Sequence, residues 1–277
     1  MRFRFTAATI FCSSLAIGCA FDGVNPGGDD GVGSPDAAES QPDAGSQGSD
    51  AAPGADAPIP PTSSIGHIYA HPVVGTPPVF DDSSIADWAG ADIVSLVATS
   101  AEHNHAAGAG LINNTVKVAA VHDASYLYLM VEVEDADLFS EVAIGGGNLG
   151  DRVEDGVEIY FDTANDRVGA WGDDDRFAYF QLDGTGAVTT GFAIEAGLSA
   201  TPAGYAIEYR IPKTMLGSAS DIGFNLTVFD DDDGGNLESF TIMHQPVVPT
   251  CANCCGGEAD AEPWCDTTRL GQLTFVP

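Results

Sequence analysis

The chain has 277 residues, with 41 acidic and nine basic side chains, and a formal net charge of -32 at pH 7. A surface this negative repels the phosphates of nucleic acid and of anionic membrane surfaces, so nucleic acid is excluded as an expected partner. The same acid excess is compatible with sites for divalent cations.

The first segment has the pattern of a secretory signal. Arg2 and Arg4 form a basic start, an apolar stretch covers residues 5–17, and Cys19 follows. The stretch is too short to span a membrane permanently. It resembles a bacterial lipobox, in which the cysteine is lipidated and becomes the mature N-terminus, and Ala20 instead of Asp after it implies the outer membrane. We therefore expect an exported protein that touches the membrane by its lipid anchor only. The alternative is ordinary secretion, with Cys19 incidental.

Residues 20–65 have the composition of a tether. They are rich in Gly, Pro, Ala, Ser and Asp, and they contain no Lys or Arg. Such a segment buries too little apolar surface to offset its conformational entropy, and its acids and prolines favour an extended chain. The predicted organisation is a signal peptide over residues 1–19, a disordered linker over 20–65 and one domain over 66–277.

The remaining residues read as a series of short strands. Residues 115–123 and 126–135 predict a hairpin around a turn at Asp123. Further strands are predicted at 157–162, 177–182 pairing with 188–194, 204–212, 222–229, 239–244 and 270–276. Pro212 and Gly217 bracket one short helical turn.

The strand at 204–212 shows the governing pattern most clearly. Tyr205, Ile207 and Tyr209 would share one face, whereas Glu208 and Arg210 would lie on the other. A period of two is typical of half-buried antiparallel strands. Many such strands, with almost no helical pattern, predict an all-β fold, an antiparallel, jelly-roll-like β-sandwich.

The order of these segments resembles the family 9 carbohydrate-binding modules, sugar-binding sandwiches that are often attached to xylanases. The matching stretches are a Pro-x-Phe-Asp motif before Trp88, then residues 118–133, 154–162, 204–212, 222–233 and 264–273. Together they cover roughly residues 70–277. The resemblance implies a structural role for Trp88 and sugar binding elsewhere.

The resemblance also implies where the sugar would bind. Trp264 lies where the family has one of two tryptophans that enclose the sugar, and Glu158 matches a polar contact of the family. Arg152 stands near the position of the second tryptophan, and Trp171 is a candidate to replace it. These four residues are the predicted carbohydrate-binding set. The family's arginine and asparagine on the next strand correspond to Ala178 and Phe180, a departure from the family's site.

Acidic loops predict calcium. Stretches 162–166 and 173–175 match those that bind structural calcium in the family, and 230–233 is a further acidic run. Calcium prefers several carboxylate and carbonyl oxygens that converge in a flexible loop. The predicted ligands are Asp162, Asp166, Asp173, Asp174, Asp175 and Asp231. The alternative is that these runs are solvated turns.

Four cysteines, Cys251, Cys254, Cys255 and Cys265, lie near the C-terminus. Export favours disulfides. A bond between the adjacent Cys254 and Cys255 is strained, so the favoured pairings link these two outward to Cys251 and Cys265. A zinc site is the alternative.

The expected function is non-catalytic binding of plant-type polysaccharide ends, xylan or cellulose, by a surface-tethered module linked to polysaccharide catabolism. One alternative is a structural or interaction lipoprotein that kept the sandwich and lost the sugar site. The other is a glycoside hydrolase using paired carboxylates, which is disfavoured because the acid runs lie in predicted loops.

Overall fold

The computed structural model describes residues 3–4, 60–80, 86–88, 90–97, 114–138, 155–168, 171–182, 186–231, 239–243 and 267–277. All of these except Pro60 belong to one compact unit, Met1–Ile10 with Pro61–Pro277. The second unit, Phe11–Pro60, holds most of the predicted linker and, apart from Pro60, lies outside the described residues. Within the described part, no helix is long and apolar enough to cross a membrane.

The described part consists of strands joined by loops and short 3-10 turns. The strands are β1 (Phe3–Arg4), β2 (His67–Pro72), β3 (Val94–Val97), β4 (Thr115–His122), β5 (Tyr126–Glu134), β6 (Gly156–Asp162), β7 (Asp175–Gln181), β8 (Gly186–Val188), β9 (Glu195–Thr201), β10 (Gly204–Pro212), β11 (Asp221–Asp230), β12 (Ser239–Ile242) and β13 (Gly271–Phe275). The 3-10 turns are Ala86–Trp88, Lys213–Met215 and Thr267–Arg269. The turn predicted between Pro212 and Gly217 is confirmed.

The strands form one curled sheet that folds into two layers. Its order is β1-β9-β10-β5-β4-β2-β13-β11-β6-β7-β8, with β3 beside β4 and β12 beside β11. We call β1, β9, β10, β5, β4 and β3 the first layer, and β13, β11, β12, β6, β7 and β8 the second. Strand β2 joins them, because it pairs in parallel with β13 and then, at His71 and Pro72, with β4. All other pairings are antiparallel, so the predicted sandwich is confirmed.

One apolar core lies between the layers. Strand β10 contributes the alternate residues that the sequence pattern assigned to one face: Tyr205, Ile207, Tyr209 and Ile211 are all buried in it. From the second layer, β6 and β11 contribute Val157, Ile159, Phe161, Phe224, Leu226 and Val228. The core therefore fixes which side chains of the second layer point inward and which point outward.

Trp88 covers the opposite face of the first layer. It is buried in a second apolar cluster with Ala119, Val121, Tyr128 and Met130, and its Nε1 donates a hydrogen bond of 2.8 Å to Glu208. This geometry agrees with the structural role expected for it.

The strand predicted at residues 188–194 is wrong beyond Val188. Strand β8 ends there, and the chain turns, with the Phe192 amide donating to the Thr189 carbonyl at 2.9 Å. Gly191 has a φ of +81°, a backbone conformation that a strand does not use. The next strand, β9, pairs with β10 in the other layer.

Candidate functional site

The outward side of the second layer carries Glu158. On β6, Val157 and Ile159 face the core, so Glu158 and Tyr160 point away from it. Directly opposed residues of antiparallel strands share a face. Glu158 lies opposite Thr227 and Tyr179, and Tyr160 lies opposite Asn225 and Phe177. We call these six residues, Glu158, Tyr160, Phe177, Tyr179, Asn225 and Thr227, the Glu158 face.

The same alternation corrects the expectation for β7. Ala178 is buried in the core, and Phe180 packs against that core with its ring 5.7 Å from the Tyr209 ring. Both residues therefore point away from the Glu158 face. The β7 members of that face are Phe177 and Tyr179, and Gln181, opposite Gly156, continues the same side of the sheet beyond them. The two residues matched to the family's arginine and asparagine are therefore core residues here, because a difference of one residue along a strand moves a side chain to the other side of the sheet.

Trp171 lies at the edge of the Glu158 face. Its ring is 6.2 Å from the Tyr160 ring and 6.4 Å from the Phe177 ring, the latter edge-on. The side chain is half-buried, and its Nε1 is shielded from solvent without a hydrogen-bond partner among the described residues. The structure therefore brings Trp171 to the same side of the sheet as Glu158.

Thr227 is a member of this face that the sequence did not reveal. Its side chain is fully buried, and within the described ranges no group bonds its hydroxyl. Buried polar groups in folded proteins are nearly always paired, and leaving one unpaired costs free energy. Thr227 Oγ1 and Trp171 Nε1 are thus two polar groups on one side of the sheet that no other described residue bonds.

Three of the predicted calcium ligands lie together where β6 ends and β7 begins. Asp162, Asp166 and Asp174 each offer a carboxylate oxygen, and these oxygens lie within 4.8 Å of one another. Asp162 is buried, Asp174 is half-buried and Asp166 is exposed. We call these three residues the acid group. Their spacing is compatible with one cation bound by all three.

Asp175 lies beside the acid group, opposite Asp162 in the β6–β7 ladder. Its side chain is buried; Oδ2 accepts from the Gly172 amide, and Oδ1 has no partner in the described part of the chain. Burial raises the pKa of Asp175 to about 6. The hydrogen bond from the Gly172 amide lowers this pKa, whereas the negative charge of Asp174 raises it further. A cation here would relieve this repulsion.

The loop at residues 162–168 is held by its own main chain and by Arg167. The Asp162 carboxylate accepts from the backbone amides of Asp166 at 3.3 Å and Arg167 at 3.1 Å. Asn165 and Arg167 have φ values of +52° and +56°, which are uncommon for residues other than glycine. Burial lowers the pKa of Arg167, and the Asp162 charge opposes that shift.

Asp173 differs from its neighbours because its side chain is exposed and stands outside the acid group. Its backbone carbonyl, with that of Asp175, accepts hydrogen bonds from Arg176 Nη1 at 2.5 Å and 2.7 Å. Its main chain therefore helps to shape the start of β7.

Asp231 adjoins a second acidic cluster. Carboxylate oxygens of Asp135, Asp155 and Asp230 lie within 4.8 Å of one another, and all three residues are buried. Asp231 is also buried, and its amide donates to Asp155 Oδ1 at 3.1 Å. Asp135 and Asp155 were missed from the sequence, because Asp135 follows a strand of the first layer whereas Asp155 and Asp230 belong to the paired strand ends of the second. Only the stacking of the two layers brings these distant residues to one end of the sandwich.

The remaining predicted site residues lie outside the described residues. They are Trp264 and Arg152 of the sugar site, Cys251, Cys254, Cys255 and Cys265 of the disulfides, and Cys19 of the anchor. Their roles stay predictions.

Curated relatives of this chain are polysaccharide-degrading enzymes. It is 26% identical over 167 residues to Exoglucanase XynX of Acetivibrio thermocellus, and 33% identical over 171 residues to Endo-1,4-beta-xylanase A of Thermotoga neapolitana. These alignments cover 58% and 59% of this chain but only 14% of each relative. The similarity is thus confined to a small part of each enzyme.

Solved structures with a similar fold come from Caldicellulosiruptor kristjanssonii. A carbohydrate-binding module of family 9 in complex with cellotriose superposes with a TM-score of 0.56 at 18% identity, over 76% of this chain and 93% of that one. The same kind of module in complex with glucose gives a TM-score of 0.58, over 76% and 95%.

The family model described as "Carbohydrate family 9 binding domain-like" matches residues 86–276. The match spans both layers, from the Trp88 turn to the last strand, and it includes the Glu158 face and the acid group. The chain therefore belongs to the carbohydrate family 9 binding domain-like family.

Proposed function

We propose that this protein binds the ends of neutral plant-type polysaccharides, cellulose or xylan, on the Glu158 face. The observation that carries the proposal is the composition of that face, where aromatic rings adjoin a carboxylate and two polar groups that have no hydrogen-bond partner among the described residues. Related modules have been solved with cellotriose and glucose, and the curated relatives are an exoglucanase and xylanases. A family 9 domain is a binding module without catalytic activity of its own.

The side chains of this face suit a pyranose ring. Aromatic rings such as Trp171 cover the apolar face of a sugar. The Glu158 carboxylate accepts hydrogen bonds, the Trp171 indole donates one, and the Thr227 hydroxyl can do both. Trp171, Phe177 and Gln181 are partly exposed, so a ligand reaches them first, whereas Glu158 and Thr227 lie deeper. The predicted contacts Trp264 and Arg152 would complete the site.

Calorimetric titration with cello- and xylo-oligosaccharides tests the proposal. We expect the wild type to bind at least one series, and Trp171→Ala to weaken that binding by about tenfold, because an aromatic contact and a hydrogen bond are lost. Tyr126→Ala is the matched control, since Tyr126 is a half-buried aromatic residue of the first layer. A wild type that binds neither series would support the alternative of a scaffold that has lost its sugar site.

The whole protein is proposed to act without catalysis, as an accessory to glycoside hydrolases. The chain spans 12–14% of the length of the curated relatives it matches, so their catalytic activities are not carried over to it. We expect purified protein to release no reducing sugar from xylan or cellulose. Reproducible release that disappears in Glu158→Gln would overturn this part of the proposal.

Calcium is proposed as a structural cofactor of the acid group. Three carboxylates that can share one ion, with the buried, unpartnered Asp175 Oδ1 beside them, fit a hard cation. Bound calcium would neutralise repulsion among these acids. The cluster of Asp135, Asp155 and Asp230, with Asp231 adjacent, is a second candidate of the same chemistry. Asp173 would contribute through its position in the loop.

Export and anchoring complete the proposal. Lipidation of Cys19 would tether the domain to the outer membrane or cell surface through the linker at 20–65, and disulfides among the four C-terminal cysteines would brace the loop that carries Trp264. Expressed in a bacterium, the wild type should incorporate labelled palmitate and sediment with membranes. Cys19→Ala should do neither, and membrane retention of that variant would contradict lipidation.

A further inference from the structure

Arg167 connects the loop of the acid group to the C-terminal part of the domain. Its guanidinium Nη2 donates to the Gly271 carbonyl at 2.9 Å, and its Nη1 donates to the Leu270 carbonyl. These carbonyls stand where the Thr267–Arg269 turn passes into β13. A planar guanidinium suits two adjacent acceptors, because its N–H groups have a fixed geometry.

The same residue is joined to Asp162. The Arg167 amide donates to Asp162 Oδ2, and the Asp166 amide donates to Oδ1 of the same carboxylate. Both Asp162 oxygens therefore hold the loop's main chain in the arrangement described here. A cation that draws on these oxygens changes their bonds to the amides of Asp166 and Arg167.

A second contact reinforces the connection. A Cβ placed on Gly223 would lie 2.8 Å from Asp162 Cβ and 3.2 Å from Leu270 Cδ1, so the side chains of Asp162 and Leu270 both border the space beside this glycine. Asp162 and Leu270 are therefore neighbours of one glycine as well as partners of Arg167.

We propose that Arg167 is a positioning residue that transmits cation binding at the acid group to Leu270 and Gly271. The inference rests on the proposed calcium site. Its consequence concerns the sugar site, because the segment that Arg167 holds begins shortly after Trp264 in the sequence. Calcium would then fix the segment from which the predicted sugar contact extends.

Hydrogen exchange of the full chain, with and without calcium, tests the proposal. The Leu270 amide donates to the Thr267 carbonyl at 3.2 Å and the Gln272 amide to the Gly66 carbonyl at 2.9 Å, so both report on this segment. In the wild type we expect calcium to slow their exchange several-fold. Arg167→Lys keeps the charge but loses the planar fork. It should bind calcium within about threefold of the wild-type affinity by calorimetry, and the calcium-dependent protection should be lost.

The matched control is Arg176→Lys. Arg176 also bonds carbonyls beside the acid group, those of Asp173 and Asp175, but within the described residues its hydrogen bonds do not reach β13. Calcium should still protect Leu270 and Gln272 in this variant. Equal protection in the wild type and Arg167→Lys, or no protection in a calcium-binding wild type, would overturn the proposed coupling alone. A wild type that fails to bind calcium in the calorimeter would overturn the calcium site and, with it, this inference.

Discussion

Thr227 carries a buried hydroxyl on the outward side of the second layer. Its Oγ1 lacks a partner among the described residues. Valine, which has the same β-branched shape without a hydroxyl, would suit the strand equally well. A residue that weakens the fold slightly and faces a proposed ligand site has the character of a binding residue. Stability and affinity should therefore respond to its substitution in opposite directions.

We predict that Thr227→Val raises the free energy of unfolding by about 1 kcal/mol, because it removes an unpaired buried polar group. Oligosaccharide affinity should fall by about three- to tenfold, since one hydrogen bond is lost. Urea unfolding and calorimetry measure the two effects. Thr201→Val is the control, because the Thr201 hydroxyl is also shielded and has no partner in the described part of the chain, but it lies on β9 in the first layer. A marked loss of stability in Thr227→Val would show that the hydroxyl is bonded.

Asp175 should make stability depend on pH. Burial raises the pKa of its carboxyl from the ordinary value of 3.8 to about 6. A raised pKa means that the folded state holds the proton more tightly than the unfolded state. The contribution of Asp175 to the free energy of unfolding is therefore complete below about pH 4 and is lost as the pH rises through about 6. In chelator, the Asp175 contribution to the melting temperature should decline over that window. The decline should be smaller in Asp175→Asn, and an unchanged pH profile in the variant would contradict this assignment.

Whether a site residue could be predicted from the sequence depends on whether its partners are close to it in the chain. The acid group was foreseen in part because its members follow one another around a single loop. Local pattern does not show which β7 residues face the same side as Glu158, because only the register of β7 with β6 places Tyr179, and not Ala178, opposite it. Asp135 and Asp155 belong to a cluster assembled by strand ends far apart in the chain, for which local pattern gives no signal.

The β9–β10 hairpin places Gly204 opposite Glu134, the last residue of β5. A Cβ at this position would lie 2.1 Å from the Val133 carbonyl oxygen and 2.9 Å from the Asp135 amide. The side chain of Asp135 belongs to the second acidic cluster. The glycine therefore permits close pairing of two central strands next to a candidate cation site.

We predict that Gly204→Ala lowers the free energy of unfolding by about 2 kcal/mol or more, because backbone atoms must shift to admit the methyl group. Gly90→Ala is the matched control, since its Cβ would meet nothing within 4 Å. Chemical denaturation of both variants measures the difference. Similar stabilities for the two would mean that the hairpin can shift at little cost.

Strands with strong alternation were predictable as elements. The β4–β5 hairpin was predicted to within a residue, and β6, β10 and β11 were found because their apolar residues recur with a period of two. Strand β9 was missed since it is built from small residues, Glu-Ala-Gly-Leu-Ser-Ala-Thr, with little strand preference. The role of β2 was missed because its parallel partners come from distant parts of the chain.

At the scale of the whole molecule, the net charge of -32 opposes folding through self-repulsion. Bound calcium would reduce the repulsion among the acids that surround it. Because calcium would bind the folded state, the stabilisation depends on the free calcium concentration. At a free calcium concentration one hundred times Kd, each ion bound only by the folded state adds about 2.7 kcal/mol.

We therefore predict that calcium raises the melting temperature progressively and that a chelator reverses the rise. Sodium chloride at the same ionic strength is the control, because screening alone also reduces repulsion among acids. Asp162→Asn should remove most of the rise in melting temperature that calcium causes beyond the rise in sodium chloride. An equal rise in both salts would show that screening accounts for the effect.

The position of β2 has a mechanical consequence for an anchored protein. The linker leads into this strand, and the strand is bonded on both sides, to β13 and to β4. Tension that pulls along β2 stretches these two ladders in shear, so many bonds must break together instead of one at a time. Forced detachment is governed by the rate of unfolding. A cell held on a fibre through this domain should thus resist drag in flowing water better than equilibrium stability alone suggests, and single-molecule pulling from residue 65 measures it.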